Sequence, residues 1–160
     1  YLVSAYSYSD LIVPRVQFMN DNTAFAVGDG RLMIYTGAQK PVTTGEYLYD
    51  EEVQSVFYSD KYVGLVFLSD QAESKYRMDV YNTSAAKLGS YYFDVDYTDV
   101  FFEESDIVIY NESECQIFTM EGVEKYWGSF TKSARLLLPT GGSYKYYLVT
   151  DNTIDTIQLK

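Results

Sequence analysis

Val16-Gln-Phe-Met-Asn-Asp-Asn-Thr-Ala-Phe-Ala-Val27 decides the fold, because it reads as two short strands around a polar turn. Apolar residues alternate with others on each side of Asn20-Asp21-Asn22, the pattern of a hairpin with one face buried. The same design returns at Val56-Phe-Tyr-Ser-Asp-Lys-Tyr-Val-Gly-Leu-Val-Phe67 and at Val100-Phe-Phe-Glu-Glu-Ser-Asp-Ile-Val-Ile-Tyr110. A fourth copy, Leu136-Leu-Leu-Pro-Thr-Gly-Gly-Ser-Tyr-Lys-Tyr-Tyr-Leu-Val149, carries a loop about two residues longer. Taking Val16, Val56, Val100 and Leu136 as equivalent gives intervals of 40, 44 and 36 residues. A period of that size marks stacked supersecondary units that cannot bury their apolar faces alone.

Each copy continues into a third strand: Arg31 to Tyr35 after Gly28-Asp29-Gly30, Tyr76 to Tyr81, Cys115 to Met120, and Thr153 to Leu159 after Asp151-Asn152. These turn residues tolerate the positive φ that tight hairpins need. A fourth strand follows in three copies, at Gly45-Glu-Tyr-Leu-Tyr-Asp50, Gly89-Ser-Tyr-Tyr-Phe-Asp94 and, more loosely, Val123 to Phe130. The expected architecture is all-β: a single repeat domain over residues 1–160, made of four-stranded antiparallel blades at about 16–50, 53–96, 97–130 and 134–160.

Residues 1–10, Tyr-Leu-Val-Ser-Ala-Tyr-Ser-Tyr-Ser-Asp, supply a spare strand-like stretch, while the fourth copy stops at Lys160 without its outer strand. In a ring, the first segment would close the last blade and hide its edge. Two readings stay open, a closed ring of four blades or four consecutive blades of a larger ring. The strand spacing resembles the β-propeller superfamily of Trp-Asp and quinoprotein-like repeats, and is similar to propeller domains that bacteria display outside a membrane anchor. No Gly-His or Trp-Asp pair accompanies it. The resemblance implies a binding or scaffold module, displayed outside the cell membrane or in the cell envelope, with no cofactor; fold alone carries no chemistry.

Composition supports strands and narrows function. Eighteen Tyr and nine Phe, with one Trp, favour pleated surfaces on which flat rings pack well. Twelve Lys and Arg against 23 Asp and Glu give a formal charge of −11, which repels phosphate backbones and argues against nucleic acid. The chain has no His, and so none of the usual general bases and no Ser-His or Cys-His pair. Cys115 is alone, hence without an internal disulfide, and its flanks mark it as a core position. No stretch approaches the roughly 20 apolar residues of a membrane helix. Tyr1 is no start methionine and no leader precedes it, so the sequence is expected to begin partway into a longer chain.

No enzyme is expected. Gly28-Asp-Gly30 and Gly141-Gly142 are hairpin turns, since neither opens a helix as a phosphate loop must. Asn82-Thr-Ser84 and Asn111-Glu-Ser113 match the glycosylation pattern at a frequency chance accounts for. Paired carboxylates on a propeller could cleave glycosidic bonds, which leaves a glycan-active enzyme as a minor alternative, beside a structural segment completing a larger ring. The densest carboxylates, Asp94, Asp96 and Asp99, followed by Glu103-Glu104-Ser-Asp106, are weak candidates for a cation and otherwise a solvated rim. Tyr47, Tyr49, Tyr91, Tyr126 and Trp127 in the outer strands are the candidates for contact with a protein or glycan partner, because rings with polar tips are common at recognition surfaces.

Overall fold

The computed structural model describes residues 12–142 and 144–159, and the proposed closing segment at 1–10 lies outside them. Fifteen strands and no helix are present among the described residues. They form four antiparallel sheets in sequence order. The first holds β1 (Arg15–Asn20), β2 (Thr23–Gly28), β3 (Arg31–Thr36) and β4 (Val42–Leu48). The second holds β5 (Ser55–Tyr58), β6 (Tyr62–Leu68), β7 (Tyr76–Asn82) and β8 (Lys87–Phe93). The third holds β9 (Asp99–Glu103), β10 (Asp106–Tyr110), β11 (Glu114–Thr119) and β12 (Glu124–Ser129), and the fourth β13 (Leu136–Pro139), β14 (Lys145–Val149) and β15 (Ile154–Gln158). Every strand pairs with its sequence neighbour, so each sheet is a simple up-and-down blade, as the repeat predicts.

Short polar side chains tie the turns. Asn20 Oδ1 accepts the amide of Asn22, Ser59 Oγ those of Lys61 and Tyr62, Asn82 Oδ1 those of Ser84 and Ala86, and Asn111 Oδ1 those of Ser113 and Glu114. Such local bonds satisfy backbone donors that no strand partner reaches.

The core is divided into seams between consecutive blades. Phe25, Val27, Leu32 and Ile34 of the first pack on Val63, Leu65, Phe67 and Tyr81 of the second. Val66, Met78, Val80, Tyr91 and Phe93 then face Val100, Ile107, Ile109 and Phe118. Val108, Tyr110, Cys115 and Ile117 meet Leu137, Tyr146, Leu148 and Leu159 in the third seam. Strand alternation sends one set of side chains to each neighbour, and each fully buried aliphatic contributes on the order of 1.5–3 kcal/mol. Burial pushes the Cys115 thiol up to about 12, with Glu114 adding to the effect, so it stays a protonated core group. Among the described residues no apolar cluster joins the fourth blade to the first.

One equivalence drawn from the sequence needs correcting. Val16, Val56 and Val100 all lie on the face of their blade that looks toward the preceding one, but Leu136 does not. Leu137 takes that direction and is 1% exposed, whereas Leu136 is 38% exposed on the opposite face. A side-chain period of two means that a single-residue offset turns a strand over, and the longer loop between β13 and β14 conceals the offset. Val16 also remains 62% exposed, having no blade before it among the described residues to cover it.

Candidate functional site

The outer strands carry a recurring irregularity that places one side chain of interest. Pairing skips Thr44 between β3 and β4, Leu88 between β7 and β8, and Lys125 between β11 and β12. A β-bulge of this kind re-aims the extra residue away from the strand's regular alternation. In the third blade that residue is a lysine, and its ammonium meets Asp106 Oδ2 at 2.6 Å with both side chains about four-fifths buried.

Around this pair a cavity of about 300 Å³ opens between the third and fourth blades, at the end where the β9–β10 and β13–β14 hairpins lie. At the earlier seams the equivalent hairpins touch: Asn20 Nδ2 donates to the Asp60 carbonyl at 2.7 Å, and the Tyr62 hydroxyl to the Glu104 carbonyl at 3.4 Å. At the third seam the longer loop, with Gly141 at φ +78°, lines a gap. Glu103, Glu104 and Asp106 come from one side, Tyr144 and Tyr146 from the other, and Lys125 from the bulge. Glu104 (φ +50°) and Tyr144 (φ +57°) are two of three non-glycine residues with left-handed backbone among those described. Strained backbone of this type clusters where geometry matters to function.

Three carboxylates face one ammonium here. Burial raises the Glu103 carboxyl, the neighbouring Glu104 and Asp106 charges add to that, and hydrogen bonding to Tyr146 and the charge of Lys125 oppose it. Burial, then the negative charges of Glu103 and Asp106, holds the Tyr146 phenol protonated. For Lys125 burial works against the charge, but bonding to Asp106 and Tyr144 outweighs it and the ammonium is raised. The Lys125 nitrogen also lies 4.4 Å from the Tyr144 ring centroid, a cation–π distance. Asp106 Oδ1 is buried with no hydrogen-bond partner among the described residues. The arrangement can bind a hydrogen-bond donor or a cation; it offers no activated nucleophile.

The aromatic candidates divide by direction. The Tyr91 hydroxyl donates to the Met120 carbonyl at 2.6 Å across the second seam, its ring edge-on to Phe118. Tyr47 does the same at the first seam, donating to the Ala85 carbonyl with its ring against Tyr81. Tyr49 donates to the Gly28 carbonyl at 2.7 Å and packs edge-on against Phe67, and Tyr126 joins the third seam. Trp127 is 52% exposed, its indole N–H donating to Glu114 Oε2. Sequence alternation left open which rings faced inward. A readable signal was present, since Gly45 and Gly89 sit two residues before Tyr47 and Tyr91 on the same face, leaving room beside the ring.

The acidic loop disperses. Asp94 accepts the Lys75 amide, Asp96 pairs with the Lys75 ammonium at 2.8 Å, and Asp99 accepts the Val100 amide and the Tyr110 hydroxyl. The Lys75 hydrogen bond draws the Asp96 carboxyl below its usual range. Among the described residues no three acidic or thiol groups are grouped to hold a metal ion. Lys125, Tyr144 and Tyr146 were missed by sequence reasoning, and only the run Glu103-Glu104-Ser105-Asp106 pointed at this pocket.

A family model matches residues 1–159, nearly the whole chain. The chain belongs to a family of unknown function (DUF5711). Among curated proteins no sequence match is found. A solved eukaryotic initiation factor is similar in structure, with a TM-score of 0.59 at 11% identity over 81% of this chain and 35% of its own. Hsv2 of Kluyveromyces lactis is similar with a TM-score of 0.52 at 11% identity, over 94% of this chain and 47% of its own. The DUF5711 chain thus spans between a third and a half of the length of these neighbours, and at such identities the likeness is one of fold, which is β-propeller-like.

Proposed function

We propose that this chain is a non-catalytic binding module of the propeller type, and that the cleft between its third and fourth blades receives a cationic group of its partner. Asp106 carries the reading: Lys125 holds one carboxylate oxygen, and the other is buried and unbonded beside Glu103 and Glu104. A buried acceptor left without a donor is costly, and an incoming ammonium or guanidinium removes that cost. The module is further proposed to act outside the cell membrane, which rests on the resemblance to displayed propeller domains alone. Titration of the ¹⁵N-labelled chain with N-acetylarginine amide tests the site. Shifts confined to residues 103–106 and 141–146, lost in Asp106→Asn with the fold intact, are expected. No shift there at millimolar ligand refutes the site.

A second reading, a structural segment of a larger ring, is favoured by the far face of the fourth blade. Leu136, Leu138, Tyr147 and Ile154 share that face and are exposed, and among the described residues its strands place no carboxylate there. Exposed apolar patches of this kind usually have a partner. Leu138→Lys with Ile154→Lys should leave the melting temperature of this chain unchanged and lower that of the natural polypeptide; no difference in the latter eliminates the reading.

A further inference from the structure

A second groove lies at the opposite end of the blades, beside the β2–β3 turn and the β4–β5 connection, with a volume of about 290 Å³. Its lining is apolar, with Val27, Val53 and the ring of Tyr49 inside and exposed Ile12 and Pro14 at the side. That ring is fixed on both sides, by its hydrogen bond to the Gly28 carbonyl and by its edge-on contact with Phe67, so this part of the lining is formed in advance. The rim is acidic, with Asp29, Glu51 and Glu52. Arg77, only 12% exposed, holds Glu51 at 2.9 Å and draws its carboxyl below the usual range. Asp29 and Glu52 have no ion pair among the described residues.

An apolar trough between two uncompensated carboxylates specifies a ligand with the converse pattern. We propose that this groove docks an extended basic peptide segment of a partner protein, which inserts one aliphatic side chain between Pro14, Tyr49 and Val53 and sets flanking Lys or Arg side chains on Asp29 and Glu52. Complementary charge steers such a segment to a surface of net charge −11, and the buried side chain supplies the selectivity. Gly30, at φ +74°, closes the turn that sets Asp29 out on the rim. The site is independent of the cleft between the third and fourth blades.

Titration of the ¹⁵N-labelled chain with Ac-Lys-Lys-Leu-Lys-Lys-NH2 tests the inference, with Ac-Lys-Lys-Ser-Lys-Lys-NH2 and Ac-Glu-Glu-Leu-Glu-Glu-NH2 as comparisons. Shifts should centre on Gly28, Asp29, Gly30, Glu52 and Val53. The serine peptide should bind roughly tenfold more weakly, the scale expected for losing one buried aliphatic side chain. D29K combined with E52K should abolish binding of the basic peptide and admit the acidic one, while D29N with E52Q weakens binding without reversal; both pairs sit on exposed side chains. Equal affinity for the leucine and serine peptides overturns the proposal, as does indifference to the charge reversal. So does a set of shifts at residues 103–106, which would assign the basic peptide to the other cleft, and so does the absence of binding at millimolar peptide.

Discussion

Leu137→Ala and Leu136→Ala form a pair that separates the observed register of the fourth blade from the one its spacing implies. Leu137 is enclosed by Val108, Cys115, Ile117, Tyr146 and Leu148 in the third seam, and truncating it leaves a hole the neighbouring blade cannot easily fill. Buried Leu→Ala changes cost about 2–5 kcal/mol, so roughly 3 kcal/mol is expected for Leu137→Ala. Leu136 faces away from the seam, and its truncation should cost less than about 1 kcal/mol. For a chain of 160 residues each kcal/mol shifts the melting temperature by about 2–4 °C, which predicts losses of about 6–12 °C against at most about 4 °C. Urea unfolding followed by far-ultraviolet circular dichroism gives the same comparison, as midpoint shifts at constant slope. Equal losses, or a larger one for Leu136→Ala, would refute the register and with it the third seam.

Tyr91→Phe keeps the ring against Phe118 but removes the bond to the Met120 carbonyl, so about 1 kcal/mol should be lost in urea unfolding; Trp127→Phe, half exposed, should change stability by less than about 0.5 kcal/mol. Gly64→Ala would bring a methyl to 2.9 Å from Met78 Sδ and 3.1 Å from Phe102 Cζ, and overpacking should lower stability by about 1–3 kcal/mol, measured by melting. The Glu103 carboxyl is raised in the folded state, so the stability it contributes is present below the unfolded value and lost as pH rises through the folded one. Glu103→Gln should therefore be more stable than the parent at pH 7, the two converging below about pH 4; a parent more stable at neutral pH would contradict this.

The blade architecture was legible because it rests on local features: the turns at Asn20–Asn22 and Gly28–Gly30 and the alternation beside them need no long-range information. Facing direction was less legible. Val16, Val56 and Val100 share a direction because their hairpins are of similar length, and the extra residues around Gly141 shift the count when it is carried back from β14 to Leu136. The cleft was least legible. Lys125 reaches Asp106 only because the bulge displaces it, and Tyr144 joins them only because two blades stack, neither of which leaves a trace in residue order.

The seams also set how disturbance spreads through the molecule. Among the described residues three apolar clusters each link one blade to the next, so their energetics are those of a row of couplings between neighbours, not of one shared nucleus. Opening should start at the fourth blade, whose outer face carries exposed Leu136, Leu138, Tyr147 and Ile154, and amide exchange should slow progressively toward β6 and β10, each held from two sides. A ligand in the cleft between the last two blades would then act as a terminal clamp, slowing exchange in the fourth blade first and in the first blade last.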